Sequence, residues 1–296
     1  MKRLRIASLI ILLCACASIG YIRVKHGQAG DSIAPVISMG DGSALASIKI
    51  SVKDDESVIL EDAVAKDNRD GDVTETITID SISPFNADGK RYATLAAFDK
   101  SNNVGKASRE VVYSDYHSPH FDITEPLAFN TGTTDFLGNI TATDVLDGDL
   151  TSNIHFADNT SISSDTPGDY EVKLQVKNSA GDTATLPVTV TILDSSYSEK
   201  PRVHLKHYVR YVEKGGDVDF KKLVDYVEIS GSEYELVDGD DIDEEEKTIG
   251  RDRIHISDDE VNYDKAGIYE VTYKVSQVRM DETITGKTSL ILVVED

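Results

Sequence analysis

The chain has 296 residues, of which 40% are hydrophobic and 28% charged. That is too apolar for a disordered chain and too long for one ordinary sandwich domain. Its formal net charge of -23 repels phosphate backbones and anionic headgroups, which excludes nucleic acid as a partner. Both cysteines, Cys14 and Cys16, lie near the N-terminus, so no thiol beyond residue 16 can form a disulfide or act as a nucleophile.

Met1 to Arg5 is basic, and Ile6 to Ile22 is almost unbroken apolar or small sequence. This is the grammar of an export signal, and it places the rest of the chain outside the cytoplasmic membrane. Three outcomes are open. The segment can stay as a hydrophobic helix near the lower length limit of a membrane span, with Lys2, Arg3 and Arg5 held inside the cell. It can be cleaved at Ala15-Cys16-Ala17. Alternatively, Cys16 can be lipidated, since Leu13-Cys14-Ala15-Cys16 is similar to a bacterial lipobox. In each case the membrane is met through this segment only.

Beyond the leader the pattern is that of strands. Ser47 to Lys53 alternates apolar and polar residues. Asp70-Gly-Asp-Val-Thr-Glu-Thr-Ile77 then recurs as Asp147-Gly-Asp-Leu-Thr-Ser-Asn-Ile154, and Ala65-Lys-Asp67 recurs as Ala142-Thr-Asp144. Gly89 and Gly168 each open a strand that ends in a polar turn, Asp99 to Asn103 or Asn178 to Asp182. Tyr170, Val172, Leu174 and Val176 share one face of such a strand, and Tyr269, Val271, Tyr273 and Val275 share another. A strand with one apolar face needs a second sheet to cover it. Helical periodicity is not sustained, and Asp219 to Glu228 has room for a helical turn or two.

Pro35, Pro119 and Pro201 each precede a short apolar strand and mark boundaries. The expected organisation is all-β: three tandem immunoglobulin-like β-sandwich domains after an N-terminal hydrophobic helix. Residues 1–30 are leader and linker, 31–114 the first domain, 115–194 the second, and 195–296 a divergent third with an expanded acidic middle, Asp238 to Glu246.

The pattern of Ala142, Asp144, Asp147, Gly148, Asp149 and Thr151 followed by Gly168, Tyr170 and Val172 resembles bacterial immunoglobulin-like repeats of Gram-positive cell-surface proteins. The same module is known from a pesticidal crystal protein. The first domain departs from it with Arg91 where a tyrosine is usual, and the third matches through Gly267, Tyr269, Val271 and Tyr273. The resemblance implies a sandwich that serves as a spacer or adhesive unit, and it implies no ligand.

Asp67, Asp70 and Asp72, and equally Asp144, Asp147 and Asp149, could supply hard oxygen ligands for calcium. The competing reading is turn chemistry, in which the same carboxylates bond nearby amides. His117 with His120, and His204 with His207, have i,i+3 spacing; on a strand this puts the rings on opposite faces, against joint metal ligation. Leu186-Pro-Val-Thr189 superficially resembles a sortase signal but reads better as a closing strand. No nucleophile with a base, phosphate loop or zinc helix is present. The expected function is therefore non-enzymatic, a cell-surface spacer and protein-interaction array without a cofactor beyond possible calcium. Its partner is a protein or a glycan at the cell surface. A glycan- or host-binding adhesin and a self-assembling surface subunit stay open, as does the oligomeric state.

Overall fold

The structure is a computed structural model that describes residues 31–86, 89–157, 161–194 and 200–296. The leader, with its three outcomes and Cys16, lies outside the described residues. No helix among the described residues is long and apolar enough to cross a membrane. The chain divides into two compact units, the first ending at Asp115 and the second running Tyr116–Asp296.

In the first unit the strands are β1 (Val36–Met39), β2 (Ile48–Ile50), β3 (Ala63–Asp67), β4 (Gly71–Asp72), β5 (Thr78–Ile82), β6 (Arg91–Phe98) and β7 (Val104–Tyr113). One sheet has the order β1-β3-β4 and the other β2-β7-β6-β5. β2 runs parallel to β7, so the opening stretch of chain contributes a strand to each sheet in turn. Ile37, Ala63 and Ala65 from one sheet meet Ile50, Ala93, Leu95, Ala97 and Val111 from the other in a single core. This is an immunoglobulin-like sandwich.

The second unit repeats the scheme twice. β8 (His120–Ile123), β9 (Ala128–Phe129), β10 (Ile140–Asp144), β11 (Gly148–Asp149), β12 (His155–Phe156), β13 (Gly168–Lys177) and β14 (Thr183–Ile192) form the sheets β11-β10-β8 and β12-β13-β14-β9. They correspond one for one to β1 to β7, including a parallel β9–β14 pair. The chain continues through β15 (Arg202–Leu205), β16 (Val209–Glu213), β17 (Val224–Ile229), β18 (Ser232–Val237), β19 (Ile242–Asp243), β20 (Thr248–Gly250), β21 (His255–Ser257), β22 (Gly267–Arg279) and β23 (Glu282–Glu295). Their sheets, β15-β17-β18-β20-β19 and β16-β23-β22-β21, enlarge the pattern, and β16 is again parallel to β23.

Alternation explains the strands. Val172, Leu174 and Val176 of β13 and Leu186, Val188, Val190 and Ile192 of β14 are buried, while Lys173, Pro187 and Thr189 face out. Each fully buried aliphatic side chain contributes roughly 1.5–3 kcal/mol. The sortase-like stretch is thus the middle of β14. β9 pairs with β14 only at Thr191 and Ile192, so Pro187 lies where β14 has no partner on that side and its missing N–H costs no ladder bond.

One expectation changes. The alternation of 47–53 yields only β2, because Val52 N donates to Asp115 Oδ1 at 2.8 Å and Ser51 N to Asp54 Oδ2 at 2.7 Å, which turns the chain out of the sheet. The helical turn or two expected within 219–228 is one 3-10 turn, Phe220–Leu223, and a strand follows it, since the β-branched Val224 and Val227 face the core. The boundary expected between 194 and 195 falls inside the second unit. There the two sandwiches share one apolar core cluster.

Candidate functional site

The repeated aspartates build the same turn in both units. Asp67 Oδ1 accepts from the amides of Arg69 and Asp70, each at 2.8 Å, and Asp144 Oδ1 accepts from Leu146 and Asp147 at 2.9 and 3.0 Å. Asp72 and Asp149 each accept from the amide two residues on, that of Thr74 or Thr151, at 2.9 Å. Asp70 takes the Lys100 amide at 2.9 Å, and Asp147 takes Ser179 N and Oγ. Gly71 and Gly148 supply the positive φ that the turn requires, 77° and 73°. Hydrogen bonds hold the carboxyls of Asp67, Asp72 and Asp149 below the ordinary aspartate range, those of Asp67 from the Asp70 and Arg69 amides and those of Asp72 and Asp149 from Thr74 and Thr151.

The six aspartates do not converge on one another. Among the described residues, one group of three or more His, Cys, Asp or Glu has ligand atoms within 4.8 Å of each other: Asp31, Asp67 and Asp99. Asp31 precedes β1, Asp67 ends β3, and Asp99 follows β6, so the three meet at one end of the sandwich. Asp67 and Asp99 are only 7% and 6% exposed. Asp99 accepts from Asn103 N at 2.7 Å and Asn103 Nδ2 at 2.6 Å, while Asp31 Oδ1 caps the Ile33 amide at 3.0 Å. Oδ2 of Asp31 and Oδ2 of Asp67 are buried without any hydrogen-bond partner.

The corresponding place in the second unit is differently filled. Asp144 is in the position of Asp67, Asn178 in that of Asp99, and Tyr116 lies before β8 as Asp31 lies before β1. Asn178 Nδ2 donates to Asp144 Oδ2 at 3.2 Å and to Tyr116 Oη at 2.9 Å. Tyr116 donates to Asp182 Oδ2 at 2.6 Å, and burial pushes its phenol well above the ordinary value. Here donors of the chain satisfy the carboxylate oxygen that the first unit leaves orphaned.

Sequence reasoning named Asp67 but missed Asp31 and Asp99. The signal available was the exchange within the polar turn: Asp99 and Asn103 in one repeat, Asn178 and Asp182 in the other.

The histidines correct another expectation. The rings of His117 and His120 stack with centroids 3.9 Å apart, because β8 begins only at His120 and His117 approaches in irregular chain. His120 stacks on Tyr211 at 3.7 Å and meets Glu295 at 2.9 Å. His204 stacks on Tyr226 and contacts Glu228, whereas His207 contacts Asp122 at 2.8 Å. The contacts of His120 with Tyr211 and Glu295 and of His207 with Asp122, with Tyr208 N donating to Ile123 O at 2.7 Å and Phe121 N to Tyr211 Oη at 2.8 Å, join the two sandwiches of the second unit. Beside this joint is a groove of about 470 Å³, floored by Ile123, Leu127, Tyr208 and Ile291 and rimmed by Lys173 and Glu270. The acidic stretch 238–246 is exposed apart from the half-buried Ile242 and runs through the short strand β19 into a turn, with Asp243 Oδ1 taking the Glu245 and Glu246 amides at 2.9 Å.

No known protein family matches the chain. A stretch of 82 residues, 28% of the chain, is 38% identical to an uncharacterized 81.3 kDa protein of Acholeplasma phage L2, of which it covers 10%. Among solved structures, the chain is similar to one of the CBM51-2 domain in complex with GlcNAc and INT domains from Clostridium perfringens ZmpB. Identity there is 12% and the TM-score 0.21, over 51% of this chain and 26% of that one. For the protocadherin GammaB4 extracellular domain the values are 14% and 0.20, over 90% of this chain and half of that one. Superpositions this loose carry no argument about what the chain binds.

Proposed function

We propose that the chain is a non-enzymatic cell-surface protein whose three sandwich repeats act as a spacer and protein-interaction array outside the membrane, held there by its apolar N-terminal segment. The supporting observation is the way residues 116–296 are put together. Two sandwiches are joined by backbone bonds and stacked rings, and the second extends one long hairpin, β22–β23, past its own core. At the tip of that hairpin Val278 is 71% and Met280 89% exposed, an apolar end on a long two-stranded support. Such a tip suits contact with a partner protein. The acidity keeps neighbouring copies apart in the meantime.

A photo-crosslinking residue in place of Met280, expressed on intact cells, tests this reading. The expected result is a discrete adduct from position 280 and none from the exposed Lys222. Crosslinking from Lys222 alone, or from neither position, contradicts it. The groove beside Tyr208 supports a second reading, an adhesin that takes an extended peptide or glycan between its sandwiches.

A further inference from the structure

We propose that Asp31, Asp67 and Asp99 form a calcium site at the end of the first sandwich, and that the second unit has replaced this ion with its own side chains. The assignment rests on orphaned oxygens, beyond the mere closeness of acids. Three carboxylates with ligand atoms within 4.8 Å of one another repel strongly once removed from water. Two of their oxygens, Oδ2 of Asp31 and of Asp67, are buried with no donor, and Asp67 is 93% enclosed. Buried charges in folded proteins are paired or coordinate metals. A donor is already in place for each of the other oxygens: the Asp31 cap on Ile33 N, the Asp67 turn with Arg69 and Asp70, and the Asp99 bonds with Asn103. These bonds fix the three carboxylates and leave Oδ2 of Asp31 and Oδ2 of Asp67 for an ion, with Asp99 beside them as the third negative charge.

An all-oxygen, anionic donor set is what hard cations take, and a cluster on three separate segments has the adjustability that calcium accepts and magnesium does not. The second unit serves as an internal comparison. There Asn178 Nδ2 reaches Asp144 Oδ2, and the Tyr116 hydroxyl joins Asn178 and Asp182. Two carboxylates, an amide and a phenol complete one another, and no ion is needed.

Titration calorimetry of the full chain with calcium chloride in about 0.15 M sodium chloride, where exposed charges are screened, tests the site. The expected result is one calcium ion per chain. Binding is lost in Asp99→Asn and in Asp31→Asn and kept in Asp144→Asn. Asp31→Asn retains an oxygen for the Ile33 amide and puts an N–H where the orphan was, so it should melt at or above the wild-type temperature without calcium. A residue with a purely structural role would melt lower when substituted. No binding heat in the wild type would mean that the carboxylates share protons instead, and binding retained in both Asp31→Asn and Asp99→Asn would place the ion elsewhere. Either result overturns the assignment.

Discussion

In the first unit Arg109 lies on the inward side of β7 and is only 3% exposed. Its guanidinium donates to the carbonyls of Ala46, Ile59 and Glu61 at 3.0, 2.7 and 2.6 Å, and so holds the 3-10 turn Glu56–Leu60 and the approach to β2 against the sheet. Burial lowers its pKa from the ordinary arginine value, with Asp62 and Glu61 working the other way, and it remains a cation at any physiological pH. Each buried carbonyl left without a donor costs about 1–3 kcal/mol, so Arg109→Met should destabilise the first unit by about 3 kcal/mol or more. Arg109→Lys should recover only part of that, because an ammonium cannot reproduce the planar fork. Urea midpoints of the two variants check the order, and equal midpoints would refute it. The position was legible in the sequence: Ala107, Arg109 and Val111 share one phase of the alternation, so a charge falls where an apolar residue is expected. What it bonds was not legible, since its partners lie 48 to 63 residues away.

Among elements, the strands β13 and β22 were readable from period-two alternation, because each has one face on a core and one in water. Tyr170 and Tyr269 each donate back to the carbonyl four residues earlier, at 2.8 and 2.9 Å. Arg91 takes their place in the first unit and bonds the Ser83 carbonyl at 2.7 Å instead, which is why the departure from the repeat leaves the strand register intact. The close crossing of the opening segment over the last strand was not readable. A Cβ on Gly286 of β23 would stand 1.6 Å from the Pro201 carbonyl oxygen, and one on Gly105 of β7 would stand 1.8 Å from that of Pro35. Neither glycine has the positive φ that usually marks one, so only the packing reveals the need. Gly286→Val should force the chain at Pro201 off the sheet and cost about 3 kcal/mol. A thermal melt unchanged by that substitution would show that the crossing is loose.

At the scale of the whole molecule, the repeated motif gave the all-β class and the recurring sandwich, because each repeat must bury the same apolar face. The grouping of residues 116–296 into one compact unit was hidden, since it depends on Tyr208, Tyr211 and His120 meeting across the joint between sandwiches. So was the difference between the two carboxylate clusters, which needs Asp31 and Tyr116 brought to strand ends far along the chain. With no cysteine past residue 16, no sandwich is held by a disulfide, and reductant should leave its stability unchanged.

Display of this acidic chain outside the membrane is the claim on which its function turns. A membrane-impermeant amine reagent applied to intact cells, followed by mass spectrometry of the recovered protein, tests it most directly. Lys100 in the first unit and Lys222 in the second have side chains 83% and 82% exposed, and both should carry the label before lysis. If these lysines react only after the cells are broken open, the chain faces the cytoplasm and the account is wrong.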